Sequence, residues 1–156
     1  MILIILAVGK LREAHFRAGV SDYLERIRKM LPIEQIEVAS GAGEENGKGA
    51  GTIQKEAMAL ERHLKRDGLT VALDPQGKTL NTEEFARWLQ DAMNRSASRV
   101  TFVIGGAWGL SKTIAEQADL RLSLSPMTFS HELARLVLTE QIYRALSLWK
   151  GLPYHK

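Results

Sequence analysis

The sequence predicts an α/β fold, a mostly parallel sheet with helices on both faces, formed as one domain over residues 1–156. Three observations predict it. Apolar runs of strand length alternate with stretches of helical period along the whole chain, which is the pattern of successive strand and helix units. The first run, Ile2 to Val8, is continuously apolar and rich in isoleucine, as a strand covered on both faces must be. A chain of 156 residues, 45% hydrophobic and 25% charged, is also long enough for one core and too short for two comfortable ones.

Each element has its own signal. Gly9 ends the first strand. From Glu13 to Leu31, the residues Phe16, Val20, Tyr23, Leu24, Ile27 and Leu31 recur at helical spacing, with Arg17, Glu25, Arg28 and Lys29 on the other side, and Pro32 closes the helix. Ile33 to Ala39 reads as a second strand. Residues 40–51 carry no apolar period and read as a mobile loop leading into a helix that begins near Thr52, with Ile53, Ala57, Leu60 and Leu64 on one face. Leu69 to Leu73 is the next strand. Asp74-Pro75-Gln76-Gly77 then reads as a turn, with proline supplying a fixed φ.

Asn81 with Glu84 three residues later has the spacing of a capping box. It opens a helix whose apolar face is Phe85, Trp88, Leu89 and Ala92 and which ends before Ser96. Arg99 to Ile104 is a strand, Ser111 to Ala118 a short helix and Leu120 to Leu124 a short strand. The last helix runs from about Ser130 to Lys150. Its apolar residues Leu133, Leu136, Val137, Leu138, Ile142, Leu146 and Trp149 cover more than one stripe, so the helix should be buried on several sides, and a second copy of the chain is one way to cover it.

Composition narrows the classes. There is no cysteine, which excludes disulfides and thiolate metal sites and fits a reducing, cytoplasmic compartment. The opening apolar run has no basic leader or cleavage site and falls far short of the roughly 20 residues that span a bilayer, so no membrane is expected. The net charge of +3 and a pI near 9.3, with clusters such as Arg26-Ile27-Arg28-Lys29, leave room for an anionic partner.

In open sheets of this class, ligands collect outside the carboxyl ends of the strands. Leu73-Asp74, Ile104-Gly105 and Leu124-Ser125 are three such ends and should form one crevice. Gly105-Gly106 and Gly109 lack side-chain bulk where a strand becomes a loop, so a ligand could lie against the backbone. Leu124-Ser125-Pro126-Met127-Thr128-Phe129 adds hydroxyls, a constrained turn and apolar side chains, a mixture suited to a flat heteroaromatic ring. A plain strand-to-helix connection capped by Ser130 accounts for the same residues.

Several chemistries are not supported. The glycine-rich loop contains Gly47-Lys48, but a phosphate-cradling loop of the form G-x-x-x-x-G-K-S/T would need glycine at Ala42 and a hydroxyl at Gly49. His131-Glu132-x-x-Arg135 has arginine where a zinc helix needs its second histidine, and no metal is expected. No G-x-S-x-G elbow surrounds Ser111 or Ser125. The end of the chain, Pro153-Tyr154-His155-Lys156, sets an aromatic ring, an imidazole and a cation side by side, groups that stack on bases and hold phosphates.

Taken together, Leu73-Asp74-x-x-Gly77-Lys78, Phe102 to Ser111, Leu124-Ser125-x-Met127-Thr128, His131-x-Leu133-x-Arg135, Glu140 to Ala145 and Pro153 to Lys156 resemble the small bacterial SPOUT methyltransferases that methylate N3 of a pseudouridine in 23S ribosomal RNA. The resemblance runs essentially the whole length. It implies a carboxyl-terminal trefoil knot (the α/β knot), S-adenosyl-L-methionine held in it, a homodimer that completes the active site, and the assembled ribosome as substrate. It further implies cofactor contacts at Leu73, Gly105, Leu124, Ser125, Pro126, Met127, Thr128 and Phe129, and a catalytic, RNA-facing role for Arg144, Tyr154 and His155. Two departures fall at the pocket rim: Ala107-Trp108 stand where many relatives have proline and an acid, and Ser130 where proline is common. A cofactor-free ribosome-binding factor on the same scaffold and a flavodoxin-like phosphate binder are the competing readings; against the second, Gly9-Lys10-Leu11-Arg12 offers only one glycine after the first strand.

Overall fold

The computed structural model describes residues 1–41, 49–65, 67–95 and 97–153. Its elements are β1 (Ile2–Val8), α1 (Ala14–Arg28), β2 (Ile33–Val38), α2 (Gly49–Glu61), β3 (Leu69–Thr79), α3 (Thr82–Asn94), β4 (Arg99–Ile104), α4 (Lys112–Gln117), β5 (Leu120–Ser123) and α5 (His131–Trp149). All the strand pairs are parallel, in the order β2-β1-β4-β3-β5. Every connection is therefore a crossover, which requires helices on the faces of the sheet.

β1 shows why its sequence is apolar without alternation. Leu3, Ile5 and Ala7 enter a core shared with α1, α3 and α5, while Ile4, Leu6 and Val8 enter a smaller one with Ala57 and Leu60 of α2 and Ile114 of α4. The period of two sends alternate side chains to opposite cores, so both sets must be apolar. At about 25 cal/mol per Å2 of buried apolar area, this central strand is a major source of folding free energy.

The caps expected at Asn81 and Ser130 form, and Ser111 supplies a further one. Asn81 and Glu84 make a reciprocal capping box, each side chain accepting the other's backbone N–H at 2.8 Å. Ser111 caps α4 and Ser130 caps α5, each hydroxyl accepting an N–H at 3.2 Å. Boundaries differ from expectation in places: α1 ends at Arg28, before the Leu31 that completes its predicted stripe. α2 begins at Gly49 instead of near Thr52, since its first turn contributes nothing to the apolar stripe that marks the helix. Residues 42–48 of the predicted loop lie outside the described residues.

β3 does not end at Leu73. It continues to Thr79, and the predicted turn at Asp74 to Gly77 is an irregularity inside the longer strand, where the register against β5 shifts so that both Leu73 and Lys78 pair with Leu122. Asp74 turns the chain by accepting the Gln76 N–H at 2.9 Å, and the Pro75 carbonyl accepts the Ser123 hydroxyl at 3.0 Å. Part of the apolar surface on α5 is covered inside the chain: the helix lies between α1 and α3 over β1 and β4, with Leu138, Ile142, Ala145 and Leu146 fully or almost fully buried, while Leu133, Leu136 and Val137 are half-buried and Trp149 is exposed.

Candidate active site

The irregularity in the middle of β3 and the carboxyl ends of β4 and β5 enclose a cavity of about 410 Å3. Its walls are Leu73, Asp74 and Pro75 from β3, Ile104 to Ala107 and Gly109 after β4, and Leu122, Leu124, Ser125 and Met127 to Phe129 around β5. Ser130, His131 and Ala134 of the α5 entrance close it. The glycine turn is held by the Gly109 N–H donating to the Gly106 carbonyl at 3.0 Å, with Gly109 at a positive φ of 79°. At Gly105 a Cβ would stand 2.5 Å from the Gly109 carbonyl carbon, so only glycine lets the two strands of the turn touch.

The titratable side chains that line this cavity are met by protein groups. Asp74 pairs with Arg121 at 2.7 Å; burial opposes its ionisation, but the Arg121 and Gln76 donors outweigh burial and hold the carboxyl below its usual range. His131 is pushed below the ordinary histidine value, first by burial and then by the Arg135 guanidinium. It lines the cavity as a neutral imidazole at pH 7. Because a guanidinium can only donate, the 3.2 Å contact from Arg135 makes Nδ1 the acceptor and leaves the proton on Nε2.

Arg135 itself is fully buried. It donates to Glu37 at 2.6 Å and to the Gly9 carbonyl, tying α5 to the ends of β2 and β1. Glu132 accepts the backbone N–H groups of Arg12 and Glu13, which overcome a burial effect of opposite sign and lower its carboxyl pKa. The His131-Glu132-x-x-Arg135 run is thus a set of struts at the helix entrance. Among the described residues no group of three or more His, Cys, Asp or Glu side chains could hold a metal ion.

A second cavity, of about 420 Å3, lies between the start of α3 and the middle of α5. Leu122 and Leu124 belong to both cavities. Arg144 lines this second one beside Gln141, Leu148 and the Asn81-Thr82-Glu83 corner, and its guanidinium is ion-paired with Glu140 one turn earlier on the helix.

Of the residues singled out from the sequence, Leu73, Gly105, Leu124, Ser125, Met127, Thr128 and Phe129 come together around the first cavity. Pro126 sits in the turn between lining residues without lining it, and Arg144 stands at the second cavity. Tyr154 and His155 lie outside the described residues. Of the two departures, Ala107 lines the cavity and Trp108 projects with 57% of its surface exposed, while Ser130 serves as the α5 cap. The sequence reading missed His131, Ala134 and the buried Arg135–Glu37 pair. The available signal for Arg135 was its place three and seven residues before Leu138 and Ile142, on the stripe that the helix buries.

Five parallel strands with a largely apolar, backbone-walled cavity at their carboxyl ends define an α/β ligand-binding domain. Comparison with known proteins makes the class specific. Residues 1–155 match the family model described as "Predicted SPOUT methyltransferase". The "Ribosomal RNA large subunit methyltransferase H" of Carboxydothermus hydrogenoformans is 38% identical over 159 residues, covering 100% of both chains. The protein of the same description from Gemmatimonas aurantiaca is 42% identical over 152 residues, with 97% of each chain covered. Among solved structures, a "Probable Methyltransferase from Bordetella pertussis" shares the fold, with a TM-score of 0.56 over 93% of this chain and 95% of the other at 18% identity. The chain belongs to the SPOUT methyltransferase family, and it is a methyltransferase.

Proposed function

We propose that this protein uses S-adenosyl-L-methionine to methylate N3 of a pseudouridine in 23S ribosomal RNA, acting in the cytoplasm on the assembled ribosome as a homodimer with a knotted carboxyl-terminal part. The observation that carries the reading is the first cavity. All the cofactor residues implied by the family resemblance except Pro126 line it, in a chain whose full-length relatives are named for methylation of large-subunit ribosomal RNA.

The residues fit the cofactor. Leucines, Ile104, Met127 and Phe129 offer apolar faces to a flat ring, and the Gly105 turn lets that ring approach backbone N–H and C=O groups. When bound, S-adenosylmethionine supplies an electrophilic methyl group on a sulfonium sulfur. The chain's task is then to align an acceptor nitrogen with it and to deal with a proton. Arg144, at the cavity that shares Leu122 and Leu124 with the first, stabilises the acceptor ring as it loses its N–H proton, His155 relays that proton to solvent, and Tyr154 belongs to the same RNA-facing set. The basic residues of α1 and of the chain end supply electrostatic grip on the ribosome, which weakens as salt rises.

Calorimetric titration tests the site. The wild-type chain should bind S-adenosylmethionine, with competition by its demethylated product, and Gly105→Ala should lose at least about ten-fold in affinity because the added methyl group forces the turn apart. Heat of binding that is unchanged in the Gly105 variant would place the cofactor elsewhere.

A further inference from the structure

Glu56 of α2 is a carboxylate that the reaction as described leaves unused. It is 3% exposed. One oxygen, Oε1, accepts the Gly41 N–H at 3.0 Å and the Ser40 hydroxyl at 3.3 Å. The other, Oε2, is buried and has no hydrogen-bond partner among the described residues. A carboxylate buried with an unused oxygen is costly unless an opposite charge answers it.

Its position gives that cost a purpose. A Cβ built on Gly106 would lie 2.9 Å from both Glu56 oxygens and 3.1 Å from the Val8 side chain. The carboxylate therefore presses on the same glycine turn that forms a wall of the first cavity. Among the described residues no lysine or arginine lines that cavity, and its own acid, Asp74, is neutralised by Arg121. Among the described residues, then, a carboxyl group with one unpaired oxygen stands behind a thin backbone partition, with a ligand cavity beyond it.

We propose that Glu56 is the buried counter-charge for a cationic ligand in the first cavity, and that it favours the sulfonium of the methyl donor over the neutral thioether left when the methyl group departs. The inference rests on the reading of this cavity as the S-adenosylmethionine site. Glu56 touches neither ligand; it acts through space across the Gly106 backbone, as a positioning residue for charge. At an effective dielectric near 20–40, one charge several ångströms away through protein is worth on the order of a ten-fold preference. The preference reloads the cavity with fresh donor by weakening the hold on the spent product.

Calorimetry on the full chain with three ligands separates charge from shape: S-adenosylmethionine, S-adenosylhomocysteine, and an analogue bearing a protonated amine in place of the sulfonium. Glu56→Gln keeps the side-chain size and an oxygen for Gly41 and Ser40. It should lose on the order of ten-fold in affinity for both cationic ligands and less than about two-fold for the thioether. Equal losses for all three ligands, or none, would overturn the inference and leave the cofactor site standing. A second readout needs no variant: the wild type should bind the amine analogue more tightly than the thioether, and equal affinities would also overturn it. Failure of the wild type to bind any of the three would instead refute the cofactor reading, and the inference with it.

Discussion

The two cavities beside β5 share Leu122 and Leu124 but are built from different material. The first is made of strand ends, glycine backbone and apolar side chains, and its charged members are either paired, as Asp74 is, or held neutral, as His131 is. The second is made of helix surface, with Arg144, Gln141 and the polar corner at Asn81 to Glu83. A cavity of the first kind holds a ring by shape and main-chain hydrogen bonds. The second contains a guanidinium, ion-paired with Glu140, whose donors suit an acceptor that must become anionic. The wall they share would set the proposed cofactor and acceptor positions side by side.

The largest effect should come from the helix that serves both cavities. Arg135→Ala leaves the Glu37 carboxylate and the Gly9 carbonyl without their shared donor, and breaking a buried pair of this kind costs about 3 kcal/mol or more. Urea unfolding should show that loss, and a variant of unchanged stability would mean that the α5 entrance is not anchored as described. Arg144→Ala should separate the cavities. Methyl transfer should fall on the order of 100-fold while affinity for S-adenosylmethionine stays at the wild-type level. Equal loss of both would merge the two cavities into one functional unit, and unaltered transfer would remove Arg144 from the chemistry.

A smaller effect concerns the neutral histidine of the first cavity. Its folded-state pKa lies below the unfolded value of about 6.5, so the unfolded chain takes up the proton first as pH falls. The stability due to neutral His131 is present above that value and is lost on acidification below it. Burial and the facing Arg135 and Arg12 depress the pKa, while Glu132 and Glu37 oppose them. Thermal unfolding followed from about pH 7.5 to about pH 5.5 should decline more steeply for the wild type than for His131→Gln. Parallel curves would show that His131 is protonated equally in both states.

What could be read in the sequence divides along the same line as the cavities. The first is legible because strand ends and glycines sit together in the chain: Ile104-Gly105-Gly106 and Leu124 to Phe129 mark their own places, and the parallel topology brings them to one edge. Local signals such as the Asn81 capping box and the Ser130 cap are equally plain, since both partners lie within three residues. The buried charge network is not, because Arg135 meets a glutamate 98 residues away and a carbonyl 126 residues away, and only the packed sheet makes them neighbours. The continuation of β3 to Thr79 was hidden for a related reason: Pro75 and Gly77 spell a turn, and the pairing with β5 that carries the strand past them is tertiary.

The central claim is methyl transfer to ribosomal RNA through this site. Incubation with methyl-labelled S-adenosylmethionine and either assembled ribosomes or free 23S rRNA, followed by mapping of the labelled nucleoside, tests it most directly. Label is expected at N3 of a pseudouridine in the large-subunit RNA, with assembled ribosomes as the better substrate. Label on another nucleoside, or none on either substrate while the cofactor is bound, would contradict it.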